Sequence, residues 1–342
     1  MKIMVTGGAG YVGGTVAALL LEQGHQVVIV DNLCHATTEL LPAGAEFVQA
    51  DIAERPRIEA LFRDAASAGV PFDGVLHFAA LIEAGESMKY PEVYFRNNTA
   101  STLALLEAIV AAGPRRLVFS STAAVYGEPE TVPIPETARL QPTNTYGESK
   151  LLVEYMLEWF HRIHGLRSAS LRYFNVAGAP ETGGKGSGVI VRGEAHEPES
   201  HLIPLILDVA IGRRSAIKIF GDDYPTHDGT CVRDYIHVSD LADAHLLALR
   251  ALETPAAEKA RLIYNLGNGS GFTVKEVIDS VRRVTGHPIP VVQEPRRPGD
   301  PAFLIAASDK AIAELGWKPG YPEIDEIIRT AWQWHQKRHA RK

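Results

Sequence analysis

A chain of 342 residues suffices for about two domains at roughly 150 residues each, and its 46% hydrophobic and 22% charged residues are those of a globular protein. Thirty-four Lys and Arg against forty-one Asp and Glu leave a net charge of −7, which argues against a nucleic-acid coat. No apolar run is long enough for a membrane span, the first strand-like run opens at Lys2, and Cys34 and Cys231 form no close pair, so the chain reads as cytoplasmic and free of disulfides.

From Lys2 onward, short β-rich runs alternate with segments of helical apolar spacing, which predicts a Rossmann-type, doubly wound α/β fold around a parallel sheet. Strands are expected over residues 3–6, 26–31, 46–50, 74–78, 116–121 and 167–174, most of them apolar enough to be buried on both faces. Helices are expected over 12–23, 56–66, 91–112 and 146–164, with Pro56 and Pro91 in first turns. Beyond 174 the regularity breaks into loops over 176–200 and 222–229, helices over 203–212 and 241–252, and a strand over 262–266. This divides the chain into a dinucleotide-binding domain, 1–176, and a smaller α/β substrate domain, 177–342, from which 231–254 returns to the first. Trp332 and Trp334 are expected to pack the last helix. His335 and His339 read as a solvated face on a frayed end, with no acidic third ligand nearby, so no metal site is expected.

The turn Gly7-Gly8-Ala9-Gly10-Tyr11-Val12-Gly13 joins the first strand to the first helix. Gly7 and Gly10 permit a tight turn and let amides approach a pyrophosphate at the positive helix end, and Gly13 lets helix and strand pack closely. Asp31 ends the second strand about twenty residues on, where a carboxylate accepts both ribose hydroxyls and repels a 2′-phosphate, so NAD is the expected cofactor. Asp51-Ile52 is placed to meet the adenine, or Asp51 to cap a helix.

Tyr146 and Lys150 stand four apart at the head of a helix, on one face. An ammonium beside a phenol, joined by a bound nicotinamide cation, lowers a tyrosine pKa from about 10 toward working pH and makes it a usable acid and base. Thr122 closes the fifth strand, at the edge where open α/β sheets bind ligands, placed to share a hydrogen bond with a substrate hydroxyl and Tyr146.

Gly7 to Gly13, Asp31-Asn32, His77-Phe78-Ala79-Ala80, residues 119–127, Tyr146 to Lys150, Arg172-Tyr173-Phe174-Asn175 and residues 228–238 together resemble extended short-chain dehydrogenase/reductases, specifically UDP-galactose (UDP-glucose) 4-epimerases, over nearly the whole chain. The run from Gly221-Asp222-Asp223-Tyr224-Pro225-Thr226 to Val238 is the most specific part. The resemblance implies reversible inversion at sugar C4. Tyr146, aided by Thr122, takes the 4-hydroxyl proton while hydride passes from C4 to the nicotinamide, and the 4-keto sugar then turns its other face to receive the hydride back. Remote binding through the diphosphate keeps the intermediate captive. It further implies a homodimer through helices 91–112 and 146–164. It assigns NAD to Gly7, Gly10, Tyr11, Val12, Gly13, Asp31, Asn32, Asp51, Ile52, Phe78, Ala79, Ala80, Asn98, Ser120, Tyr146, Lys150 and Tyr173. It assigns the UDP-sugar to Thr122, Tyr146, Asn175, His201, Leu202, Lys218, Phe220, Arg233, Tyr235, Arg297 and Asp300, with Phe220 by the uracil and Arg233 and Arg297 suited to a diphosphate.

Four features depart from that pattern. Ile82 stands where many relatives have a cofactor-contacting Lys, His201 replaces an amide, residues 185–196 align with nothing, and Leu304 occupies the position that gates N-acetylated sugars. Nucleotide-sugar 4,6-dehydratases need an Asp-Glu pair directly after the Thr, and here Ala123 and Ala124 follow Thr122, which leaves elimination without a proton donor. Epimerases of UDP-glucuronate, a UDP-pentose or a UDP-N-acetylhexosamine stay open as alternatives. So does an NAD-binding sensor without chemistry, although a sensor has no use for an activated phenol.

Overall fold

Alternate residues of a strand point to opposite faces, and here both faces are apolar, so each central strand needs cover on two sides. The computed structural model, which describes residues 1–255, 258, 261–297 and 300–340, supplies that cover. The elements of the first half are β1 (Lys2–Thr6), α1 (Tyr11–Glu22), β2 (Gln26–Asp31), β3 (Glu46–Gln49), α2 (Arg55–Ser67), β4 (Gly74–His77), α3 (Ser101–Ala112), β5 (Arg116–Thr122), α4 (Thr145–His164) and β6 (Arg167–Tyr173). Then follow β7 (Asn175–Ala177), α5 (Leu202–Ala210), β8 (Ile217–Phe220), β9 (Val232–Arg233), β10 (Tyr235–His237), α6 (Val238–Ala251), β11 (Leu262–Leu266), β12 (Phe272–Thr273), α7 (Val274–Thr285), β13 (Val291–Glu294), β14 (Phe303–Leu304), α8 (Asp309–Leu315) and α9 (Ile324–His339).

Ile3, Val5, Val27 and Ile29 pack with Val16 and Leu20 of α1 and Leu241 of α6. Their neighbours Met4, Val28 and Val30 join the opposite core, with Phe62 of α2, Leu105 of α3 and Val153 of α4. The sheet has seven parallel strands in the order β11-β6-β5-β4-β1-β2-β3. Connections reverse direction between β1 and β4, which opens a crevice at the carboxyl ends of those strands.

Two sequence expectations need correction. Residues 262–266 belong to the first sheet as β11, beside β6, so the returning segment runs past 254; strand neighbours distant in sequence leave no local signature. The helix expected over 91–112 is interrupted, with a helical turn at Pro91–Tyr94, a π-helical stretch at Phe95–Ala100, and only then α3. The wider turn carries Asn98, whose amide bonds both Leu81 N (2.8 Å) and Leu81 O (3.0 Å) and reaches Ser149 Oγ at 3.0 Å. Such widened turns cluster at functional sites.

Asn144 starts α4 by accepting the Gly147 N–H at 2.8 Å, and Gly165, at φ 65°, ends it in the left-handed region. Beneath α4 the fully buried Arg172 and Glu154 pair at 2.6 Å, with Ser121 and Tyr126 completing their hydrogen bonds. The second lobe packs α5, α7 and α9 through Ile206, Val281, Ile327 and Trp332. The last helix is no solvated end: Trp334 and His335 are both buried there. The basic stretch at its end runs on to residues 341–342, which lie outside the described ones.

Candidate active site

The crevice between β1 and β4 continues into a cleft of about 1180 Å³ bordered by both lobes. The glycine turn forms its floor. Gly7 sits at φ 73°, and a Cβ there would fall 2.5 Å from Ala79 N; a Cβ on Gly13 would fall 2.4 Å from Gly7 O. Both approaches require glycine, the first for turn and closeness, the second to seat α1 against the strand end. Gly10 is the N-cap of α1, which has no side-chain cap and no acidic residue in its first turn. Its first amides are therefore left for an anion, at the positive end of the helix.

Asp31 holds this turn together, its Oδ2 accepting from Ala9 N (3.1 Å) and its Oδ1 from Leu33 N (2.9 Å). A carboxylate offers about four lone-pair sites, so capacity for two ribose hydroxyls remains. Leu33 is held at φ 62°, the one positive-φ residue other than glycine among those described, on the cleft wall. Asn32 Nδ2 donates to Asp51 Oδ2 at 2.8 Å, and Asp51 Oδ1 accepts from Ala53 N at 2.8 Å. Asp51 is thus not the helix cap, a position taken by Glu54 before α2. Tyr11, Val12, Ile52, Phe78, Ala79, Ala80 and Ile82 line the same cleft, and the Tyr11 hydroxyl donates to Gly178 O at 2.6 Å. Asn98 lies behind this wall, fixing Leu81. These groups fit a dinucleotide, with free amides for the pyrophosphate and a carboxylate for the ribose.

Ser120, Thr122, Tyr146, Lys150, Tyr173 and Asn175 line the far end of the cleft. Thr122 Oγ1 accepts from Ala124 N at 3.1 Å, which leaves its hydroxyl proton to donate toward the neighbouring Tyr146 oxygen or a substrate hydroxyl. Lys150, from the same face of α4, donates from Nζ to Ser120 O at 2.9 Å, and Ser120 Oγ is hydrogen bonded to the Tyr173 hydroxyl. Burial, then Tyr173, push the Tyr146 phenol above its ordinary range, with Thr122 working in the opposite direction. Burial lowers Lys150 to about 7. The sequence expectation that Lys150 lowers the phenol therefore does not hold for the chain by itself: the dry site disfavours charge on both groups, and Lys150 is spent on a carbonyl.

Sequence reasoning missed Gly147. A Cβ there would fall 2.6 Å from Ala124 O, so glycine lets the head of α4 approach the Thr122 loop closely enough for Tyr146 to meet Thr122. Gly147→Val lowers kcat by about 100-fold by displacing the phenol by an ångström or so, while the purified protein keeps its NAD; steady-state kinetics and cofactor absorbance check this. It also missed Ser87, whose Oγ accepts the Tyr146 N–H at 3.0 Å.

The stretch that matched no pattern, 185–196, supplies cleft wall. Arg192 donates to Gly14 O (2.9 Å) and Leu40 O (3.3 Å), crossing from one lobe to the other. Trp334 Nε1 donates to Glu194 O at 2.7 Å and Arg338 to Ala195 O at 3.0 Å, so α9 clasps this strap from outside. His201, at the cleft edge, lies 2.8 Å from Glu199 Oε1. Burial disfavours its charge, but Glu199 and Glu194 outweigh burial and raise it to about 9, which leaves an imidazolium facing the cleft at neutral pH.

The remaining expected substrate residues form a second group, off the walls of the cleft. Arg297 lies over the Phe220 ring at 3.9 Å, Arg233 is ion-paired with Asp300, and Lys218 pairs with Glu294 at 2.8 Å. Tyr235 is buried beside Asn175 in the β10–β7 pair, and Leu202 opens α5 and packs in the second core. Asn175 links the two groups by donating to Asp234 O at 3.1 Å, next to Arg233. Leu304, opposite Arg233 in the β14–β9 register, packs against the apolar cluster that includes Ala123, Val125 and Phe174.

Residues 3–267 match the NAD dependent epimerase/dehydratase family. The UDP-glucose 4-epimerase of Streptomyces lividans is 54% identical over 98% of this chain and 96% of that protein. A crystal structure of UDP-glucose 4-epimerase from Stenotrophomonas maltophila with bound NAD and formylated UDP-arabinopyranose superposes with a TM-score of 0.91 at 42% identity, covering 100% of both chains. That of Brucella ovis in complex with NAD gives 0.89 at 40% identity over 98% of each. With the glycine turn, Asp31 and the Thr122–Tyr146–Lys150 set joined in one cleft, the chain belongs to the NAD dependent epimerase/dehydratase family, among its UDP-glucose 4-epimerases.

Proposed function

We propose that this enzyme interconverts UDP-galactose and UDP-glucose by inverting C4 of the sugar, with NAD held between the glycine turn and Tyr146. The observation that carries this reading is the Tyr146–Thr122 pair at the end of the dinucleotide cleft with Ala123 and Ala124, not carboxylates, behind it. The site can move one proton at one oxygen, and no carboxylate directly follows Thr122 to act as the second acid that elimination requires. When bound, NAD supplies a reversible hydride acceptor for C4 and a positive charge beside the phenol. Tyr146, as phenolate, takes the C4 hydroxyl proton and gives it back to the C4 oxygen once the keto sugar has turned and its other face has been reduced. Thr122 donates to that oxygen and steadies its charge. Lys150 fixes the end of β5 through Ser120 O. Asn175 and the His201 imidazolium, with Arg233 and Arg297 beyond, hold the uridine diphosphate while the keto sugar turns. The test is direct: purified protein given UDP-galactose forms UDP-glucose without added reductant and without accumulating NADH, and steady NADH formation or an unchanged sugar refutes the reading.

We also propose that two copies associate through α3 and α4. Trp159 and Ile163 are 60% and 69% exposed, and with Tyr155 they repeat every four residues along one face of α4, and Leu103 of α3 is exposed as well. Trp159→Glu converts a dimer to a monomer on gel filtration with unchanged circular dichroism; a persisting dimer places the interface elsewhere. No helix among the described residues is long and apolar enough to cross a membrane. The free thiols Cys34 and Cys231 suit a reducing cytoplasm, and the reaction suits galactose breakdown.

A further inference from the structure

Among the described residues, one group of three side chains has the composition and closeness of a transition-metal site, in the second lobe. It joins Asp208, in the last turn of α5, to His335 and His339, one turn apart near the end of α9, with ligand atoms all within 4.8 Å of one another. The expectation of a solvated His pair without an acidic partner is overturned here, because the third group comes from a helix more than a hundred residues earlier.

Three observations point to a cation. His335 is 7% exposed, and its Nε2 is sealed from solvent 3.1 Å from Asp208 Oδ1 without a well-aligned hydrogen bond. Two helices aim their C-terminal, partially negative ends at the place, which favours positive charge. Last, a cation is already there: the Arg213 guanidinium lies 3.0 Å from Asp208 Oδ1 and 3.1 Å from His339 Nδ1, bridging two of the three groups, with Arg214 at 3.6 Å. Arg213 is nearly half exposed and can swing into water.

We propose that Asp208, His335 and His339 form a binding site for a zinc-like divalent ion, which displaces the Arg213 guanidinium and takes water as its fourth ligand. Two imidazole nitrogens and one carboxylate oxygen are the donor set that zinc and its neighbours in the transition series prefer over magnesium or calcium. The ion would tie α5, which begins beside His201, to α9, which clasps the strap at Glu194 and Ala195. Its role is structural, and the proposal does not depend on the epimerase reading.

The NAD-loaded protein, stripped with a chelator and titrated with zinc chloride by calorimetry at pH 7, binds one ion per chain and unfolds at a higher temperature with it than without. His339→Gln weakens the affinity by more than about 100-fold, beyond the 10–100-fold usual for losing a supporting partner, without lowering the unfolding temperature of the metal-free protein. Asp208→Asn weakens it likewise, and Arg213→Ala tightens it several-fold by removing the competitor. Absence of saturable binding, or equal affinity in the wild type and His339→Gln, overturns the site. If Asp208→Asn fails to fold, His339→Gln and Arg213→Ala decide the matter.

Discussion

Tyr146→Phe lowers kcat for the conversion of UDP-galactose to UDP-glucose by about 10²–10⁴-fold, with KM and bound NAD little changed. The phenyl ring keeps the packing of the buried side chain, and only the oxygen that carries the proton is lost. A coupled assay for UDP-glucose measures the rate, and absorbance of the denatured protein measures the cofactor. A variant that turns over at the wild-type rate removes the phenol from the mechanism. Thr122→Val falls less, since it removes only a neighbouring hydroxyl donor and leaves the oxygen in place.

Lys150→Met separates activity from stability. It lowers kcat by about 10²-fold, because the cleft loses a positive charge and the end of β5 loses its anchor at Ser120 O. Yet it stabilises the cofactor-free protein. Burial lowers Lys150 from 10.5 to about 7 in the folded chain, so unfolding at neutral pH is accompanied by proton uptake. The cost of keeping this group in the fold is fully present below about pH 7 and vanishes as pH rises through 10.5. After allowing for the hydrogen bond to Ser120 O that the variant loses, Lys150→Met gains about 1–3 kcal/mol near pH 7. Urea unfolding of the cofactor-free proteins across pH 7 to 10.5 shows the gap narrowing with pH. A gap that widens or stays constant places the charge elsewhere.

What the sequence disclosed divides along a physical line. The glycine turn and the Tyr146–Lys150 pair were legible because each acts within one or two turns of chain, where spacing determines geometry, and Asp31 because it ends the strand that pairs with β1. The strands were legible because Ile3, Met4 and Val5 are apolar in succession, which only a doubly covered sheet accepts. Gly147 went unread because its need for a bare Cα comes from Ala124, on another element. The widened turn at Phe95–Ala100 is specified by Asn98 reaching Leu81 and Ser149, and helical periodicity is blind to that. The strap at 190–197 has no periodicity of its own and is placed by Trp334 and Arg338, well over a hundred residues away. Asp208 went unseen beside His335 for the same reason. Proximity of Tyr146 to Lys150 was legible, whereas the burial that raises the phenol in the cofactor-free chain was not.

The outer position of β11 sets the order of events as the chain leaves the ribosome. Roughly 90 residues separate the end of β6 from β11, about 5–20 s of synthesis. During that interval everything that handles the cofactor and the proton has already been made, yet β6 still presents an unpaired row of backbone donors and acceptors. A nascent chain is then at its greatest risk of pairing with another copy of itself. Fragments cut near residue 176 carry that open border permanently, so they aggregate, whereas chains extended through residue 266 close it from within.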